Sequence, residues 1–180
     1  MGRPTRRCTA GFTLIELILV ATVIGIVAAI GTPGLVRARS IAYEASTIGS
    51  LRAIHSAQTI YSVSCAGGFF APSIPWLATL PAGSTKPFIG PEFKLDTFVR
   101  QRYTLRFTKG TVAASAPVTC NGLAKSLAVN TYFMAADLAV TSLGMSRYFG
   151  VNSSGVIYQS TIRVPVTQTG APASPAKPIT

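Results

Sequence analysis

Acidic residues are scarce in this 180-residue chain: five Asp and Glu stand against sixteen Lys and Arg, and histidine and tryptophan occur once each. A single histidine, His55, gives no second imidazole for a metal site, so packing or solvent contact is its expected role. The acids beyond position 16 are Glu44, Glu92, Asp96 and Asp137. Glu92 and Asp96 could join a calcium site, but two acids in a proline-rich loop fit ordinary surface charge better. No phosphate-binding glycine loop, nucleophile elbow or zinc spacing occurs, so neither an enzyme nor a cofactor is implied.

What the chain does have is apolar bulk and positive charge. Hydrophobic residues make up 48% and charged residues only 12%, and the formal charge is +11. Such a surface attracts anionic partners, whether nucleic acid, acidic polysaccharide or lipid headgroups, without choosing among them; a basic solvated surface is the simpler account. The length suits one modest domain with one long element outside it.

Charge and apolarity are both uneven along the chain. Residues 1–11, MGRPTRRCTAG, are basic, contain no acid and end in small residues, as a cytoplasmic tail held by the positive-inside rule does. From Leu17 to Val36 no charged residue occurs. A helix of about 20 residues spans about 30 Å, the thickness of a bilayer core. An ordinary secretory signal is cut after its apolar part, and Ala28-Ala29-Ile30-Gly31 is a weak site of that kind. The competing site, Gly11-Phe12, lies ahead of the apolar run.

The segment GFTLIELILVATVIGIVAAIGTPGL resembles the class III signal of type IV pilins and type II secretion pseudopilins. The resemblance implies that a prepilin peptidase cuts after Gly11 and methylates the amine of Phe12. A glycine with no side chain suits a narrow protease cleft. The resemblance also gives Glu16 a role. A carboxylate inside a bilayer costs about 2.5–3.5 kcal/mol on insertion scales and needs a partner or a water path. In the family that partner is the N-terminal amine, here Phe12, of a neighbouring subunit. The residues themselves also allow Glu16 to snorkel to the headgroups and complement the helix dipole. Gly25, Gly31, Pro33 and Gly34 interrupt the same helix. They suit a helix break around Gly25 to Pro33, either a segment that extends in the filament or a plain kink at the membrane exit.

After Pro33, Ile41, Ala45, Ile48, Leu51, Ile54, Ala57 and Tyr61 recur at helical spacing, an amphipathic stem ending near Ser62. Prolines at 72, 75, 81, 87 and 91 make residues 64–96 a loop that must bury Phe69, Phe70 and Trp76. Strand patterns follow at 103–108, 129–136, 147–151 and 156–159, the last two flanking an Asn-Ser-Ser-Gly turn. The expected fold is α+β and pilin-like: a long N-terminal helix, transmembrane then amphipathic, packed on a small antiparallel sheet. The expected divisions are a cleaved leader at 1–11, a membrane or filament-core helix at 12–36, a stem at 37–62, a head at 63–160 and an extended or disordered tail at 161–180. The stem end, the GGFFAPSIPWL loop, RYTLRF and RYFGVNSSGVIYQ also resemble a bacterial pilin subgroup.

Cutting after Gly11 discards Cys8 and leaves Cys65 and Cys120. Pilin heads face an oxidising compartment, which implies a disulfide between the two; a pair of buried thiols is the alternative. Arg100, Arg102 and Arg106 share one parity and suit either a DNA- or surface-binding stripe or a solvated face. The reading is therefore a structural filament subunit, made as a single-pass inner-membrane precursor with a cytoplasmic N-terminus and then built into a periplasm-spanning or extracellular filament. Its implied partners are other pilin subunits, the prepilin peptidase, the inner-membrane assembly platform and membrane lipid, with DNA or surface polysaccharide as further candidates. A minor pilin, pseudopilin or DNA- or surface-binding pilin is the alternative, and a plain membrane-anchored periplasmic protein a third reading.

Overall fold

The computed structural model describes residues 11–139 and 147–179. The element order is α1 (Leu14–Ser64), α2 (Ile74–Ala78), β1 (Thr97–Arg100), β2 (Tyr103–Lys109), β3 (Tyr132–Leu138), β4 (Tyr148–Asn152), β5 (Ile157–Ser160) and β6 (Lys177–Pro178). The chain divides into two compact units, residues 1–39 and 40–180. The fold is α+β, with one long N-terminal helix and an antiparallel sheet.

The second unit is a meander. Its six strands lie in the order β1-β2-β3-β4-β5-β6, each antiparallel to the next. The Tyr103-Leu105-Phe107 alternation puts those three side chains in the core, as a half-buried strand requires. Strand β3 begins three residues later than the 129–136 pattern suggested. Val129 instead forms isolated bridges to Phe70 and Val112, tying two loops together.

All seven residues of β3 are buried, so it has no solvated face. The segment after β5 covers it. Val164 packs with Phe133 and Ala135 in a small second core. The side chain of Gln168 accepts from Thr131 Oγ1 at 2.7 Å and donates to the carbonyl of Lys109 at 3.0 Å. Asn152 donates to the carbonyl of Gly170 at 2.7 Å, and β6 then pairs with β5. Residues 161–179 thus run along the sheet without helix and end in β6. Their Pro, Thr and Ala content signalled the extended backbone but carried no sign of the sheet face awaiting cover.

The α1 residues of this unit bury Leu51, Ile54, Ala57 and Tyr61, the inward stripe of the periodicity. Burial of each large side chain contributes about 1.5–3 kcal/mol. Further toward the N-terminus the stripe does not hold: Ile41 and Ala45 are exposed, while Glu44, Thr47 and Ser50 are buried. The polar positions are all satisfied. Thr47 and Ser50 donate to carbonyls four residues back, and the Glu44 carboxylate accepts from the Arg147 guanidinium beside β4. Gln58 pairs with the backbone of Ala71 through both its amide atoms, at 2.9 and 3.1 Å.

His55 joins the helix to the sheet. Its Nδ1 lies 2.6 Å from the hydroxyl of Tyr132, a side chain that is fully buried and stacked on Phe107. Burial pushes the tyrosine hydroxyl up, so it stays a neutral donor to the unprotonated nitrogen. Gly155, at φ +82°, closes the other side; a Cβ there would come within 2.5 Å of Nε2. Burial lowers the imidazole below its ordinary 6.5. The unfolded chain therefore binds this proton more readily than the folded one, and stability must rise with pH. Chemical denaturation across pH should show the His55 contribution intact above pH 6.5 and lost as pH falls from there through the folded-state value. His55→Asn should flatten that part of the profile, and an unaltered slope in the variant would exclude the assignment.

Candidate assembly and processing segment

Gly11, Phe12 and Thr13 precede α1 and are exposed and non-helical. The Gly11–Phe12 bond therefore lies outside the helix in exposed chain. Thr13 starts the helix: its hydroxyl accepts from the backbone N–H of Glu16 at 3.3 Å. Thr13-Leu14-Ile15-Glu16 has the spacing of a capping box, in which a glutamate three residues into the helix complements the cap. That T-x-x-E signal was present in the sequence and was not among the residues singled out. Glu16 so stands in the first turn, where a negative charge is favoured by the helix dipole. Among the described residues its carboxylate has no ion-pair partner.

Among the described residues, the helix from Leu14 to Val36 presents an uncovered, mostly apolar surface. Phe12, Leu14 and Ile15 are each about three-quarters exposed, and Leu17, Ile24, Val27 and Ile30 more than half. The most apolar 18-residue window of α1 has none of its residues buried. Left in water, such a surface forgoes about 1.5–3 kcal/mol per large side chain, so lipid or another apolar surface must cover it. Its two interior hydroxyls are already satisfied: Thr22 donates to Leu19 O at 2.8 Å and Thr32 to Ala28 O at 2.6 Å. That meets the demand of a medium without water.

Residues 6–32 match the family described as the prokaryotic N-terminal methylation motif. This segment is a class III signal. The chain is thus pilin-like or pseudopilin-like at its N-terminus, a motif that implies processing by prepilin peptidase and assembly with other pilin subunits. No curated protein and no solved structure matches the chain.

The helix does not break at Gly25 or Pro33; α1 is continuous through both. Proline lacks the N–H that would bond the carbonyl of Ala29, yet one missing bond, at about 3 kcal/mol, does not end a helix of 51 residues. No atom lies within 4 Å of a Cβ built on Gly25, Gly31 or Gly34, so these positions open small, uncrowded strips on the surface.

The three arginines are not brought onto one stripe. Gln101 and Arg102 form a two-residue turn between β1 and β2, and Gln101 has φ +59°. The turn resets the parity, leaving Arg100 opposite Tyr103 and Arg106 opposite Thr97. Arg100 lies over the Phe93 ring at 5.2 Å, while Arg106 is bound to Asp137 at 3.3 Å. Glu92 and Asp96 line separate clefts. Among the described residues no three His, Cys, Asp or Glu side chains gather into a metal site.

Cys65, one residue past α1, is disulfide-bonded to Cys120, with 4.9 Å between Cα atoms. Cys8 lies outside the described residues. The Cys120 N–H also donates to the carbonyl of Cys65 at 3.2 Å, so the crosslink closes a backbone contact that is already formed. It joins positions separated by 55 residues. A loop of that size is worth roughly 4 kcal/mol in the chain-entropy account. Paired Cys65→Ser and Cys120→Ser substitutions should lower the denaturant midpoint of the oxidised protein to that of the reduced wild type; equal midpoints for oxidised and reduced wild type would show the bond to be unimportant.

Proposed function

We propose that this chain is a structural subunit of a type IV pilus-like filament, cut between Gly11 and Phe12 and methylated on the Phe12 amine. The observation that carries this reading is Glu16 in the first turn of a helix whose apolar side chains from Leu14 to Val36 have no cover among the described residues. Before assembly, α1 from about Leu17 to Val36 crosses the inner membrane, with the basic residues 1–11 on the cytoplasmic side. Removing the leader gives Phe12 a positive amine. Pairing that amine with Glu16 of the next subunit neutralises both charges as the helix leaves lipid, which offsets the cost of carrying a carboxylate through an apolar medium.

The continuous helix suits the membrane stage, where every backbone group must be bonded within the segment. Pro33 and the neighbouring glycines mark the stretch that gives way most cheaply if the packed filament is pulled. The disulfide and the ion-paired stem keep the second unit folded in an oxidising compartment. The scattered arginines lend no support to a DNA-binding stripe. Lipid is a partner at the precursor stage alone, and the assembly platform and peptidase are the partners that the signal requires.

Glu16→Ala should leave cleavage at Gly11 intact, because the bond lies upstream of the helix in exposed chain, while the mature subunit disappears from sheared filaments. Recovery of Glu16→Ala subunits in filaments at the wild-type level would contradict the assembly role.

A further inference from the structure

The second unit carries a cleft of about 370 Å³ lined by Pro72, Ser73, Trp76, Asp96, Phe107 and Lys109. Each wall is fixed by bonds that do not use the cleft. Asp96 accepts the N–H of Ile74 on one carboxylate oxygen at 2.7 Å, and its carbonyl accepts the N–H of Phe107 at 2.7 Å. The carbonyl of Trp76 accepts from Asn121 at 2.6 Å. Phe107 is stacked on Tyr132, and the Lys109 carbonyl is held by Gln168. Ser73 stands at the capping position of α2 but makes no side-chain capping bond. Asp96 takes the neighbouring N–H in its place, and Ser73 and Asp96 both line the cleft.

The chemistry of this lining is selective. Asp96 disfavours anions and Lys109 disfavours cations, while the two together leave the cleft without a net charge. The mixed polar wall disfavours a purely apolar ligand, whose burial would strip water from both charges. What fits is a neutral molecule with a C–H face for an aromatic ring and hydroxyls that both donate and accept. The partly buried indole of Trp76 supplies the ring, Asp96 accepts, Lys109 donates and Ser73 does either.

We propose that this cleft is a binding subsite for a neutral sugar residue, seated on the Trp76 indole with its hydroxyls bonded to Asp96, Lys109 and Ser73. The volume lies at the small end of ligand sites, which run from about 300 to 1,000 Å³. It accordingly takes one unit of a longer glycan. The inference stands apart from the filament reading, since every residue it uses lies in the second unit.

Trp76 is the only tryptophan in the chain, so intrinsic fluorescence reports on this cleft directly. The full chain in detergent is titrated with maltose, lactose, cellobiose and diacetylchitobiose to about 20 mM, enough to saturate a site with a dissociation constant near 1 mM. Inorganic phosphate and a short single-stranded oligonucleotide serve as charged controls. The expected result is a saturable change in emission with at least one neutral saccharide, weakened about tenfold by Lys109→Ala and by Ser73→Ala at an unchanged unfolding midpoint. Asp96→Asn keeps an acceptor for Ile74 and provides a third variant should either of these unfold. Three results would overturn the proposal: no saturable response to any of the four saccharides, a response confined to phosphate or the oligonucleotide, or wild-type affinity in the folded variants.

Discussion

Among the described residues nothing covers the apolar side chains from Phe12 to Val36, and that uncovered surface is the constraint on which the form of the first unit depends. A surface of this kind has to be covered by something external, and a helix is the one form in which it can enter lipid without exposing backbone. The capped start at Thr13, the internally bonded hydroxyls of Thr22 and Thr32 and the unbroken run through Pro33 all serve that requirement. Glu16 is the charged exception on this surface, placed in the first turn where the helix dipole favours a negative charge.

In the second unit the same helix meets a different demand. Leu51, Ile54, Ala57 and Tyr61 bury against the protein's own core, and Glu44, Thr47, Ser50 and Gln58 are each answered by a named group. Glu44 is the most consequential of these. A carboxylate buried to this degree is destabilising without its cation, so Arg147 fixes where β4 meets the helix. The half-exposed guanidinium limits the net gain, and the pair sets register more than it adds stability. The final segment completes the second unit by covering the outer face of β3.

Legibility from sequence followed the range of the interactions. Period-3.6 and period-2 patterns located α1, β2 and the β4–β5 hairpin, because such patterns record which side of an element faces apolar surroundings. The methylation-motif segment was readable because its chemistry is written in adjacent residues. Features set by distant partners were not. Nothing near Glu44 announces Arg147, and nothing in 161–179 announces Phe133 and Ala135. The arginine parity failed for a local reason: a two-residue turn at Gln101-Arg102, with no glycine or proline to mark it, puts Arg100 and Arg106 on different strands. The Trp76 cleft combines residues from the loop, α2 and β2, and sequence spacing alone gave no sign that Asp96 caps Ile74.

The central claim is that the apolar helix is kept and presented after processing at Gly11, in place of being removed with a secretory leader. Intact mass and N-terminal fragmentation of the purified mature chain test it most directly. The account predicts a polypeptide that begins at an N-methylated Phe12 and retains Glu16 and Pro33. A mature chain that begins after Gly31, or one that still carries Met1 to Gly11, would contradict it.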